Sequence, residues 1–168
     1  HYNGSQWRCL ESGTTTHILD AWGVVNPVTG KEEVYCPVTS FFEPGDKRIL
    51  RISSHTRVDS IPWQPQRNIY SVWTNKRFPL YACGDGFFEN KLRNWREITL
   101  GTSVSTNRVR GNHVNDIVVV GSFGLIAHYN GLDWQVFPEV YNAIYSGLSI
   151  REGIVAAVGE RNGRGIVT

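Results

Sequence analysis

His1-Tyr2-Asn3-Gly4-Ser5-Gln6-Trp7 returns 127 residues later as His128-Tyr129-Asn130-Gly131-Leu132-Asp133-Trp134, with five of the seven positions identical. Such agreement at long range marks a repeated structural unit, and the offset is about three periods of ~42 residues, the length of a propeller blade. Asn-Gly between two extended runs is the strongest short-range hairpin signal, because a type I′ turn needs positive φ at both central residues. Each copy therefore predicts a strand ending at His-Tyr, a tight turn, and a strand starting at Trp.

Working outward from the two copies, short apolar runs at 34–38, 80–83, 117–120 and 154–158 fit strands buried on both faces. Their ends at Val38, Gly84, Gly121 and Gly159 stand 46, 37 and 38 residues apart. Each run is preceded by an extended segment (18–24, 69–73, 107–110, 148–151) and followed by a third (48–53, 87–90, 125–129, 166–168). A fourth segment carries Trp near one end, at 7–10, 58–63, 95–99 and 134–137. No stretch sustains a helical period. The pattern predicts an all-β chain, a β-propeller of four-stranded antiparallel blades. An immunoglobulin-like sandwich also has many short strands, but it does not require one hairpin to return after three equal periods.

The expected organisation is one propeller region over 1–168. It has a partial blade at 1–12, blades at about 13–64, 65–100 and 101–140, and a partial blade at 141–168. That is about four blades' worth. A ring of six or more would need roughly 250 residues or longer, so a fragment of a larger propeller is expected rather than closure of the two ends into a fourth blade. The absence of Met and the initial His fit a processed or truncated piece.

Composition agrees with this class. Six Trp, 17 Gly and only 19% charged residues suit an all-β protein with many tight turns. A net charge of +2 gives no electrostatic case for nucleic acid or an anionic membrane surface. No apolar run approaches the ~18 residues of a membrane span, so no membrane insertion is expected. Cys9, Cys36 and Cys83 form an odd set without zinc-ligand spacing, and buried free thiols are expected.

Arg110-Gly111-Asn112-His113-Val114-Asn115-Asp116-Ile117-Val118-Val119-Val120-Gly121, with Phe123-Gly124 and the hairpin at 128–134 behind it, resembles a bacterial propeller repeat. That repeat reads roughly RGNGxNDIFVVGxFGxxxHYNGxxW. Tyr81-Ala82-Cys83-Gly84-Asp85-Gly86 resembles the preceding blade, and Ala156-Ala157-Val158-Gly159-Glu160 the following one. The chain is similar over nearly its whole length to uncharacterised secreted propeller proteins of the Bacteroidetes–Chlorobi type. The resemblance implies architecture and an extracytoplasmic location, periplasmic, outer-membrane-associated or secreted. It transfers no chemistry.

The residues themselves carry no catalytic motif. Gly-x-Ser-x-Gly does not occur, and the histidines at 1, 17, 55, 113 and 128 are scattered. His1 and His128 share a repeat position and are expected to serve the hairpin. Asp85, Glu89, Asp116 and Glu160 are the carboxylates available for paired acid–base work. Asp85 lies in a Gly-Asp-Gly turn and Asp116 at the start of a strand, where Asx side chains bond nearby backbone N–H groups. No catalytic residue, cofactor or metal is expected. The repeated Trp7, Trp95 and Trp134 are expected to pack between blades. Loops joining second to third strands gather on one face of a propeller and are the expected binding surface, with Phe41, Phe42, Asp85, Phe123 and Arg161 as its candidate residues. Glu43, Pro44 and Asn162 flank them. The expected function is a non-enzymatic propeller scaffold binding a protein or a glycan. The alternative is a glycosidase- or lyase-like propeller, which convergence of Asp85 with a second carboxylate around a cleft would favour.

Overall fold

The computed structural model describes the chain except residues 1, 3, 43–44, 54–56, 77–78, 92–93 and 138–141. The described residues form four antiparallel sheets, each from one continuous stretch of chain. The first holds β1 (His17–Ile18), β2 (Trp22–Val25), β3 (Glu32–Thr39), β4 (Arg48–Ser53) and β5 (Arg57–Ile61). The second runs β6 (Ile69–Trp73), β7 (Leu80–Gly84), β8 (Gly86–Lys91), β9 (Asn94–Glu97). The third runs β10 (Thr106–His113), β11 (Asp116–Gly121), β12 (Ile126–Tyr129), β13 (Trp134–Phe137), and the fourth β14 (Ala143–Arg151), β15 (Ile154–Arg161), β16 (Arg164–Val167).

One device recurs in the last three sheets. The first strand bulges beside a glycine at or near the end of the second: the register steps between Ile69 and Ser71 beside Gly84, between Thr106 and Arg108 beside Gly121, and between Tyr145 and Gly147 beside Gly159, two residues before β15 ends. A Cβ on Gly84, Gly121 or Gly159 would stand 2.0, 2.2 or 2.0 Å from the carbonyl oxygen of Asn68, Ser105 or Ile144. These glycines serve close backbone approach beside a bulge. The 37- and 38-residue spacings in the sequence are the spacings of this feature.

Alternating side chains show how the sheets stack. On β7, Leu80 and Ala82 pack with Tyr35 and Ile49 of the first sheet, while Tyr81 and Cys83 pack with Val109 and Ile117 of the third. On β11, Ile117 and Val119 face the second sheet, while Val118 and Val120 face Ala143, Tyr145 and Ala157 of the fourth. Strands covered on both faces can be apolar throughout, which explains the unbroken Ile-Val-Val-Val run. The sheets therefore stack face to face in chain order. By the same register, Ile154 and Val158 of β15 point away from the third sheet, and they are 71% and 42% exposed.

The first sheet departs from the pattern. The extended segment expected at 18–24 is broken into β1 and β2, which pair with opposite ends of β3. Cys36 and Pro37 face the gap, and Pro37 has no N–H to extend a ladder. Asp20, inside the gap, turns to other partners. The strand expected at 7–10 is absent; Trp7 makes only an isolated bridge with Tyr2, apart from the four sheets.

The hairpin at 128–134 ends its strands where expected, since Tyr129 pairs with Trp134. Its turn is not type I′. Four residues bridge the strands, and Gly131 has φ +97° while Asn130 stays out of the positive region. Asn130 instead uses its side chain, whose Oδ1 accepts from the Leu132 and Asp133 N–H groups at 2.9 and 3.1 Å. An Asx turn thus replaces the second positive-φ residue. Asn3, its counterpart, and His1 lie outside the described residues.

Candidate functional site

The loops after the second strands lie at one end of the stack. Thr39, ending β3, bonds Asn68 and the Ile69 N–H at the start of β6, at 3.1 and 3.3 Å. Gly84, ending β7, gives its N–H to Thr106 Oγ1 at the start of β10 at 3.0 Å. Asn107 in turn bonds the Tyr145 carbonyl near the start of β14 at 2.8 Å. Antiparallel pairing then brings the ends of β3, β7, β11 and β15 to this side.

Part of the expected residue set meets there. Phe41 packs between His17 and Tyr70, with ring centroids 5.2 and 6.3 Å away. Tyr70 donates to Asp85 Oδ1 at 3.0 Å, and Asn68 donates to Oδ2 at 2.9 Å. Burial first, then the Asp85 charge, pushes the Tyr70 hydroxyl up to about 12. Phe42 is 80% exposed beside this group. Phe123 and Arg161 stand on the loops of the third and fourth sheets and share no hydrogen bond or ring contact with it among the described residues. Phe123 does not plug a sheet interface: it is 72% exposed, with φ +54°. A non-glycine residue in the left-handed region costs about 1 kcal/mol or more. Packing does not account for an aromatic side chain that is both strained and exposed. Glu43, Pro44 and His55 lie outside the described residues.

Next to Asp85 opens a hollow of about 480 Å3 between the second sheet and the segment 102–105 that leads into the third, lined by Arg67, Asp85, Glu97, Thr102, Ser103 and Ser105 among others. Arg67 Nη1 reaches Glu97 Oε1 at 2.7 Å and the Asp85 carbonyl at 3.4 Å. Asp85 and Glu97 therefore share one hollow, but both are engaged, Asp85 by Tyr70 and Asn68, Glu97 by Arg67. Sequence pattern pointed to Asp85 alone; Arg67 and Glu97 are 30 residues apart and carry no local signal.

Two of the three remaining candidate carboxylates have structural partners. Asp116 takes 2.8 Å bonds from Asn112 and His128 side chains, rather than the backbone N–H groups expected of it. Burial works against its charge, yet these bonds hold its carboxyl below the usual range. Glu89 is buried and paired with Lys91 at 2.9 Å and with Arg96; these bonds outweigh burial and lower its pKa. Glu160 is exposed on β15. The carboxyls of Asp20, Asp59, Glu89 and Asp116 are all held below the usual range, toward the charged form.

The densest polar cluster was not anticipated. Asp20, with a side chain 7% exposed, accepts from Ser71 at 2.6 Å, from Arg110 at 2.7 and 3.0 Å, and from Arg108 at 2.9 Å. Arg110 also lies 4.9 Å over the Trp22 ring. Burial opposes the Asp20 charge, but the Arg110 and Ser71 bonds with the two arginine charges hold its pKa low. The cluster ties the β1–β2 gap to β6 and β10. All its Asp20 valences are met from within the chain, so it is a clamp rather than a ligand site.

Cys36 and Cys83 are buried free thiols, pushed up to about 11 and about 12 by burial, whereas Cys9 is exposed, contrary to expectation. Among the described residues, no three His, Cys, Asp or Glu side chains gather as metal ligands would. Among the described residues, no helix is long and apolar enough to cross a membrane. No protein-family model, curated protein or solved structure matches the chain.

Proposed function

We propose that the four sheets are blades of a β-propeller, of which this chain forms an arc, and that the arc is a non-enzymatic scaffold binding a protein or glycan through its loop end. The observation that carries the architecture is the glycine-and-bulge register, repeated in three consecutive sheets that stack face to face. Radial stacking of such sheets is the propeller plan. The outward Ile154 and Val158 support an arc, because the equivalent faces of β7 and β11 are each covered by the next sheet. The binding role rests on Phe123, strained and exposed, and on Phe42, both on loops at the common end. An extracytoplasmic location, which the resemblance noted above implies, belongs to the same proposal.

A glycan array, an immobilised-polysaccharide panel and an array of extracellular proteins test this with the parent chain and the double variant Phe42→Ser/Phe123→Ser. Retention by the parent, lost in the variant at unchanged Tm, is the expected result. Identical profiles for the two would remove the loop end as the binding surface. Asp85 and Glu97 in one hollow favour a glycosidase- or lyase-like second reading. Product released from the panel by the parent, and abolished in Glu97→Gln, would replace the scaffold by an enzyme.

A further inference from the structure

A second hollow, of about 390 Å3, opens on the outer side of the same sheet pair, between the β8–β9 edge and the β12–β13 hairpin. Its lining includes Tyr81, Glu89, Arg96, Thr99, Tyr129 and Trp134. Its volume falls within the range of small-ligand sites. Nothing in the repeat requires the space, because the aromatic pair Tyr129–Trp134 is already seated on Phe87, 4.9 Å from Trp134.

Three features of the lining define a ligand. First, Tyr81 is only 5% exposed, yet its hydroxyl has no hydrogen-bond partner among the described residues, although the residue borders the hollow. The hydroxyl is not sealed from solvent, so it stands open to a hydrogen-bonding group in the hollow. Secondly, the charges cancel: Glu89 holds Arg96 and Lys91, and Glu97 holds Arg67. A site with its charges already paired offers no net field to an ion. Arg96 spends only its Nε and one Nη on Glu89 and keeps outward N–H donors on a side chain that is 72% exposed. Thirdly, Tyr129 and Trp134 stack at 5.3 Å and 28° and present a half-buried aromatic wall. A flat apolar wall beside donors and acceptors whose charges are balanced matches a pyranose ring, which has C–H faces and an equatorial belt of hydroxyls.

We infer that this outer hollow binds a neutral oligosaccharide, with a sugar ring against Trp134 and Tyr129 and its hydroxyls on Tyr81 and Arg96. The site is separate from the loop end of the proposed function, although Glu97 borders both hollows.

Isothermal titration of the chain with malto-, cello-, manno- and xylotetraose, and with tetragalacturonate as an acidic comparison, tests the assignment. At least one neutral tetrasaccharide should bind, and the acidic one should not. Tyr81→Phe keeps the ring packing and should weaken that binding about fivefold; Arg96→Ala should weaken it about tenfold or more. The pair Phe42→Ser/Phe123→Ser should leave it unchanged. No binding of any neutral member at about 10 mM, or an affinity unmoved by Tyr81→Phe and Arg96→Ala, overturns the assignment; millimolar affinity is already a ΔG near −4 kcal/mol. Loss of binding in the loop-end variant instead would assign the sugar to the loop end and reject the outer hollow.

Discussion

The two copies of the hairpin are the same object in different surroundings. Gly4 and Gly131 have φ +96° and +97°. Tyr2 donates to the Gly4 carbonyl at 2.9 Å, as Tyr129 does to Gly131 at 3.0 Å. Tyr and Trp rings stand 5.4 Å apart in one copy and 5.3 Å in the other. Yet Trp7 is 79% exposed, while Trp134 is half-buried against Phe87 of the second sheet. Tyr, Gly and Trp take the same arrangement in both copies, and a neighbouring sheet decides whether the Trp contributes to stability. The third-sheet copy belongs to a stack; the described residues of the N-terminal copy form an isolated bridge outside the four sheets.

The largest expected effect locates where the N-terminal segment joins that stack. Asp20 is its anchor, and Asp20→Asn leaves Arg108 and Arg110 without their carboxylate. Breaking a buried ion pair from one side costs about 3–5 kcal/mol. The sign with pH follows from the lowered pKa: the stabilisation is complete above the ordinary aspartate value of 3.8 and is lost as pH falls through the lower folded value. Urea denaturation should show a gap between parent and Asp20→Asn that holds from neutral pH to about pH 4 and narrows below it. A gap independent of pH through the acid limb would mean that the Asp20 charge does not carry the clamp.

Next comes the feature the N-terminal copy cannot show, the glycine beside the bulge. Gly121→Ala forces a methyl into the Ser105 carbonyl and should cost about 3 kcal/mol. Gly159→Ala meets the same obstacle in a sheet with a neighbour on one face, where relaxation is easier, and should cost less. Equal losses in denaturation midpoint would show that the neighbouring sheets do not constrain the bulge. For the tryptophans the contrast is direct. Trp134→Ala should lose about 2 kcal/mol, below the value for a fully buried Trp, and Trp7→Ala less than about 0.5. Comparable losses would place Trp7 under cover in solution.

Much of this was legible before any coordinates, for reasons that particular residues make plain. The segments 48–53, 69–73 and 134–137 coincide with β4, β6 and β13, because a two-sided core demands apolar runs and turn residues close them. Gly84, Gly121 and Gly159 marked the period because a fixed backbone clash admits no other residue. The loops after the second strands were placed at one end by the same repetition. What escaped is what repetition does not encode. Pro37 broke a strand on its neighbour rather than on itself. Asp20 found Arg110 across 90 residues, and Arg67 found Glu97 across 30. Asn130 met the turn's demand with a side chain where positive φ was expected. Tyr81 lies inside the apolar run at 80–83, where nothing local marks a hydroxyl that borders a hollow.

The smallest difference lies in the turn itself. Valine at either glycine must take a φ near +97°, which a β-branched residue resists, so both variants should be destabilised by about 1–2 kcal/mol within their own hairpins. Only at Gly131 is there a further obstacle: an added Cβ comes to 3.0 Å from the Asn115 Cβ, whereas nothing lies within 4 Å at Gly4. The loss at Gly131 also reaches the third sheet, because β12 and β13 are two of its four strands. Gly131→Val should therefore lower global stability, while Gly4→Val should melt its hairpin locally and leave the global transition nearly in place. Thermal denaturation combined with amide exchange over residues 2–7 separates these outcomes. A global Tm that drops as far for Gly4→Val as for Gly131→Val would mean that the N-terminal hairpin is docked on a sheet, and the contrast between the two copies would disappear.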